Sequence, residues 1–88
     1  MRVNWRWSNS AKNSFAVLHA ACREHDFSLN PVRKALADIT CFSLNSINVR
    51  DMEEEIASAG CITIVGGPHA TAAWKDLITV ADYVVVGE

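Results

Sequence analysis

Apolar and polar residues alternate at the start of the chain, with Val3, Trp5 and Trp7 on one side and Arg2, Asn4 and Arg6 on the other. A period of two predicts a strand over 2–7 with one buried face. Ser8-Asn9-Ser10 then turns the chain and can cap a helix. Across 11–25, Ala11, Phe15, Leu18 and Cys22 recur at helical spacing, with Ala16, Val17, Ala20 and Ala21 widening the stripe. That predicts a first helix. Phe27 and Leu29 alternate within 26–30, just ahead of Pro31. This is the pattern of a short edge strand, since proline cannot donate to a ladder. Residues 38–44 are a β-branched and aromatic run, and 61–65 and 82–86 are almost continuously apolar. Such runs suit parallel strands covered on both faces. Between them, 49–59 predicts a second helix with Asn48 as N-cap, Asp51 at N3 in a variant of the capping box, an inner stripe of Val49, Met52, Ile56 and Ala59, and Gly60 as its stop. Asp51, Glu53, Glu54 and Glu55 sit near the positive end of that helix's dipole. A shorter helix over 72–79 precedes the last strand.

The resulting order is strand, helix, strand, strand, helix, strand, helix, strand, which predicts an α/β domain with a mostly parallel five-stranded sheet. One link is thin. Only 32–37 join the second and third strands, where a helical crossover takes roughly ten residues or more, so the chain must cross there extended or in a single turn.

Composition narrows the function. The 88 residues make one domain or a piece of one, and half of them are hydrophobic. A net charge of −2 offers no basic field for nucleic acid or an anionic membrane. No apolar run approaches the ~20 residues of a membrane span, and no apolar N-terminal stretch reads as a signal peptide. Cys22, Cys41 and Cys61 match neither a disulfide framework nor zinc-type CxxC spacing. They read as small buried hydrophobes in a reduced, cytoplasmic protein.

In an open parallel sheet, ligands bind beyond the carboxyl ends of the strands. Those ends carry Ser8 and Asn9, then Ser43 and Asn45, then Gly66-Gly67-Pro68-His69-Ala70-Thr71, then Gly87. Two glycines directly after an apolar strand admit close backbone approach by a flat or anionic ligand; they equally make a tight turn with no ligand. The pattern is neither GxGxxG nor a P-loop. His69 reads as a contact to a ligand phosphate or carboxylate, or as a loop histidine bonded to backbone. His19 falls on the solvent side or flank of the first helix, and His25 at its C-terminal end. Trp5 reads as core. Trp7 either lines the ligand edge or packs on the first helix. Glu53-Glu54-Glu55 reads as a solvated face. No Ser-His-Asp or paired-carboxylate arrangement is present, so no catalytic or metal-ligating residue is assigned.

Ile64-Val65-Gly66-Gly67-Pro68-His69-Ala70-Thr71, followed by Ala81-Asp82-Tyr83-Val84-Val85-Val86-Gly87-Glu88, resembles the N-terminal cobalamin-binding-type domain of radical S-adenosylmethionine enzymes. The strand Asp38-Ile39-Thr40-Cys41-Phe42-Ser43 resembles the one preceding it in that family. The match covers 38–88; the first 37 residues agree in pattern alone. The resemblance implies a flavodoxin-like, Rossmann-like three-layer sandwich. It implies a Ser43 that helps hold the cofactor's nucleotide tail, and a Gly66-Gly67 pair that lets the tail slide between strand and helix. The sequence departs from the family in three ways. The Leu of Ser-x-Leu is replaced, in Ser43-Leu44-Asn45. No Asp-x-His-x-x-Gly supplies a cobalt-ligating histidine. No CxxxCxxC supplies a [4Fe–4S] cluster, so the cluster and S-adenosylmethionine would belong to a parent protein.

The first expectation is therefore a module that holds cobalamin or a similar cofactor through Ser8, Asn9, Ser43, Asn45, Gly66, Gly67, Pro68, His69, Thr71 and Gly87. Its partner would be a C-terminal radical S-adenosylmethionine domain or a partner chain, and an exposed last strand also invites a homodimer. The alternative is a module of the same fold that binds no cofactor and serves domain docking or dimerisation. A free-standing enzyme on the same sheet edge is the third reading.

Overall fold

A computed structural model of the chain describes residues 3–8, 12–24, 29–35, 38–45 and 47–87. Its elements are β1 (Val3–Arg6), α1 (Lys12–Glu24), β2 (Leu29–Val32), β3 (Ile39–Ser43), α2 (Val49–Ser58), β4 (Ile62–Gly66), α3 (Pro68–Leu77) and β5 (Tyr83–Val84). Every strand pair is parallel, and the order is β2-β1-β3-β4-β5. α1 lies on one face and α2 and α3 on the other, the flavodoxin-like three-layer sandwich expected. Among the described residues no helix is long and apolar enough to cross a membrane.

Register decides which residues share a face. Trp5, Cys41, Ile64 and Tyr83 lie in one row across four strands, and Ile39 and Ile62 in the row before it. They belong to the α1 face. Phe42, Val65 and Val84 form a row on the opposite face. There the main core assembles from Phe42, Leu44, Met52, Ile56, Val65, Ala70, Leu77 and Ala81. On the α1 face Trp5 and Leu29 alone among the described residues are fully buried, with Val3, Trp7, Phe15, Cys22 and Cys41 packed around them. α1 covers β1 and β2, and no described element lies over β4 and β5 on that side. Tyr83 and Val85 are consequently 63% and 54% exposed. The expectation that the last strand is covered on both faces is corrected by this missing layer.

The thin link crosses on the α2 side. Arg33 and Lys34 bend, and Ala35 packs against the main core. Glu55 of α2 anchors it: one carboxylate oxygen accepts the Ala35 N–H at 2.7 Å, and both accept from Arg6 Nε at 2.9 Å. Glu55 is thus half-buried and paired, not part of a solvated face as expected, whereas Glu53 and Glu54 are exposed.

Several boundaries differ from the sequence reading. β2 runs through Pro31 instead of stopping before it, which an edge strand tolerates; Phe27 lies outside the described residues. α3 starts at Pro68, four residues ahead of expectation, because proline's fixed φ suits the first helical position. Gly66 is consequently the last residue of β4, and Cys61 precedes that strand. α2 ends on extended Ala59, whose N–H bonds Ile56 O, and not on a left-handed Gly60. Along α1, Phe15, His19 and Cys22 face the sheet, while Leu18 and Val17 are 38% and 73% exposed. His19 stacks on Phe15 at 5.3 Å between ring centres and is half-buried, so of the two expected placements, solvent side or flank, the solvent side is corrected. His25 lies outside the described residues.

Candidate functional site

The carboxyl edge of the sheet gathers most of the residues singled out by sequence, but many of them bond one another. Asn48 is the chief tie. It occupies the N-cap position of α2 without a capping hydrogen bond. Its Nδ2 donates instead to Ser43 O at 2.9 Å and Ser8 Oγ at 3.2 Å, and its Oδ1 accepts the Asn45 N–H at 2.9 Å. Asn45 Oδ1 in turn accepts the Ile47 and Asn48 N–H groups. The crevice between β1 and β3, where strand order reverses and ligands of open sheets often sit, is latched by this pair. The capping-box expectation is corrected: buried Asn48 spends its amide on the strand ends.

The second tie is the β4–α3 turn. Gly67 has φ 99° and ψ 177°, a conformation open to glycine. A Cβ there would stand 2.7 Å from Leu44 O, 2.9 Å from Leu44 N and 3.0 Å from Ser43 Oγ. Gly67 therefore serves the packing of the turn on the end of β3. The His69 N–H donates to Leu44 O at 3.0 Å, and the Leu44 N–H to Gly66 O at 2.8 Å. Pro68 has no N–H and that of His69 is taken, so the start of α3 is not an open anion site. The His69 ring faces α2, with Nε2 3.9 Å from Glu53 Oε1. Thr71 Oγ1 accepts the Gly87 N–H at 3.1 Å, which fixes the chain leaving β5 to α3.

Ser43 and Gly66 are different. They are direct register partners at the ends of β3 and β4, on the α1 face where no described helix covers β4. Both are half-buried, and the Ser43 hydroxyl has no hydrogen-bond partner among the described residues. A Cβ at Gly66 would meet only Val85 Cβ, at 3.7 Å, an ordinary contact. Gly66 thus leaves open the space that a side chain would take beside Ser43. Of the expected cofactor contacts, the structure brings Ser43, Gly66 and Gly67 together. It places Ser8 and Asn45 in the Asn48 latch, puts Pro68, His69 and Thr71 in the first turn of α3, and ties Gly87 to Thr71. Asn9 lies outside the described residues.

Sequence reasoning missed a second feature of this edge. Trp7, Pro31, Val32 and Arg33 line an open cleft of about 360 Å3 at the ends of β1 and β2. Trp7 also packs edge-on to Phe15 at 5.4 Å, so it both lines the edge and rests on α1. Its place at the end of an alternating strand was the available signal; Arg33 had none.

The remaining chemistry is sparse. Among the described residues no group of three or more His, Cys, Asp or Glu side chains converges to hold a metal. The three cysteines are half-buried free thiols, and burial, with a smaller contribution from neighbouring Cys22, raises the Cys41 pKa. Such a thiol is a poor nucleophile at neutral pH. Comparison with protein-family models, curated proteins and solved structures finds no match for this chain.

Proposed function

We propose that this domain holds a cofactor of the cobalamin type, with the extended tail of the ligand lying in a trough over Ser43 and Gly66, at the ends of β3 and β4. The observation that carries this reading is the Ser43–Gly66 register pair on the uncovered α1 face. A hydroxyl without a described partner supplies one polar contact, and an absent side chain supplies room for a ligand against the backbone. The resemblance of 38–88 to cobalamin-binding-type domains points to the same two residues. The fit is to the tail. The described histidines, His19 and His69, are stacked on Phe15 and turned toward Glu53, so neither is offered as a cobalt ligand. Cobalamin, when bound, would supply the organometallic chemistry; Ser43 and Gly66 would position it. Radical chemistry belongs to a partner domain that carries its own cluster, because Cys22, Cys41 and Cys61 do not converge with other ligands.

The test is a cobalamin titration of the folded chain, read by visible absorbance and equilibrium dialysis. Saturable binding near one per chain is expected. Gly66→Val should weaken it at least tenfold by filling the trough floor, and Ser43→Ala by less. A folded chain that binds no cobalamin, or binds it equally well with Gly66→Val, overturns the proposal. A docking module without cofactor is the second reading, favoured by the exposed apolar side chains around β5.

A further inference from the structure

The outer edge of β5 is apolar in both layers of the fold that reach it. α3 is oriented by two contacts: His69 faces α2 through Glu53, and Thr71 faces the chain leaving β5 through Gly87. Ala73 is non-helical within α3 and Ile78 is its C-cap. Ala70 and Leu77, on either side of Ala73, are nevertheless both buried, so the helical phase carries across it. Trp74 and Ile78, three and seven residues after Thr71, therefore fall on the flank beside β5. They are 39% and 56% exposed. Tyr83 and Val85 emerge on the opposite face of the sheet, and Val86 beyond them is also half-exposed. The main chain between these side chains is an unpaired edge. Val85 N bonds Val65 O, so residues 83 and 85 direct their polar groups toward β4, and Val84 and Val86 direct theirs outward.

We propose that this edge binds the same edge of a second copy of the chain, making an antiparallel β5–β5 pair across a two-fold axis. The register is specified by the outward groups. With Val85 on the axis, Val84 stands opposite Val86 of the second copy and the reverse, which closes four main-chain hydrogen bonds. The segment that fits must be short and uncharged over three residues, and Val84-Val85-Val86, between Tyr83 and Gly87, is such a segment. The five side chains named contribute on the order of 500 Å2 of exposed apolar surface per copy, against ~800 Å2 per partner in a standard interface. With the strand backbone added, that suits a reversible dimer. β5 pairing joins two five-stranded sheets into one and uses neither Ser43 nor Gly66, although Val85 adjoins Gly66, so the inference does not rest on the cofactor reading.

Sedimentation equilibrium of the full chain across the micromolar range tests it. The mass should double from 9.7 kDa as concentration rises. Val85→Lys, at an exposed position on the axis, should weaken association at least tenfold with an unchanged circular dichroism spectrum; Tyr83→Lys serves if that variant misfolds. The amides of Val84 and Val86 should exchange slowly in the dimer and fast in the monomer. A chain that stays monomeric throughout, a dimer indifferent to both substitutions, or an open-ended series of masses, which signals β5 pairing with another surface, overturns the proposal.

Discussion

Replacing Gly67 by alanine tests the reading that its turn is structural. The native φ of 99° with ψ 177° falls in a region that costs a non-glycine residue about 1–3 kcal/mol. The added Cβ would also lie 2.7 Å from Leu44 O and 2.9 Å from Leu44 N, which are main-chain atoms and cannot rotate aside. Leu44 is held by hydrogen bonds to Gly66 O and from His69 N. Moving it weakens bonds worth about 1 kcal/mol each. Together these give a loss of about 3–4 kcal/mol, a large share of the roughly 4–13 kcal/mol expected for a domain of this size. Gly66→Ala is the control: its Cβ makes one ordinary contact at 3.7 Å and its φ is not left-handed, so its cost should stay within about 1 kcal/mol. Urea unfolding followed by tryptophan fluorescence, with matched m-values, measures both. A Gly67→Ala loss below about 1 kcal/mol, or equal losses at the two positions, would refute the division of labour within the glycine pair.

Three further outcomes are expected. Glu55→Gln should cost about 1–2 kcal/mol in urea unfolding, because the charge that holds Arg6 and the Ala35 amide is lost at a half-buried site; an unchanged midpoint would show that the crossover needs no anchor. Asn48→Ala should cost about 2 kcal/mol by leaving the Asn45 N–H without its acceptor and parting Ser8 from Ser43, and a Tm equal to that of the parent chain would contradict the latch. The raised Cys41 pKa makes stability independent of this thiol below the unfolded-state value and lowers it as pH rises above, since the unfolded chain then ionises first; Cys41→Ala should flatten alkaline unfolding curves, and an unchanged slope would count against it.

The order of elements along the chain and the carboxyl edge were legible because period-two runs and apolar runs report burial directly, whereas the order of strands across the sheet was not. The start of α3 was missed for a physical reason: Gly-Gly-Pro reads as a loop, yet proline at the first helical turn lacks only a donor that the helix does not use. Asn48 was read as a cap because its position is that of a cap, and nothing in one sequence shows that a buried amide is drawn to Ser43 and Ser8. The pairing of Glu55 with Arg6 spans 49 residues and has no local signature. The stripe on α1 was read as wide because alanines and Val17 extend it, but α1 reaches only β1, β2 and Cys41 of β3 among the described residues. Ser43 and Gly66 were legible as chemistry; that they stand side by side in register was not.

The inequality of the two cores has a dynamic consequence. Eight side chains are sealed between the sheet and α2 with α3, but only Trp5 and Leu29 beneath α1. Local opening free energies follow buried apolar contact, so α1 should detach as a flap while the sheet and the other two helices stay closed. Two rates then describe the molecule: a fast opening that bares Trp5 and Trp7, and a slow global unfolding. Entry to the sheet beneath α1 is set by the first.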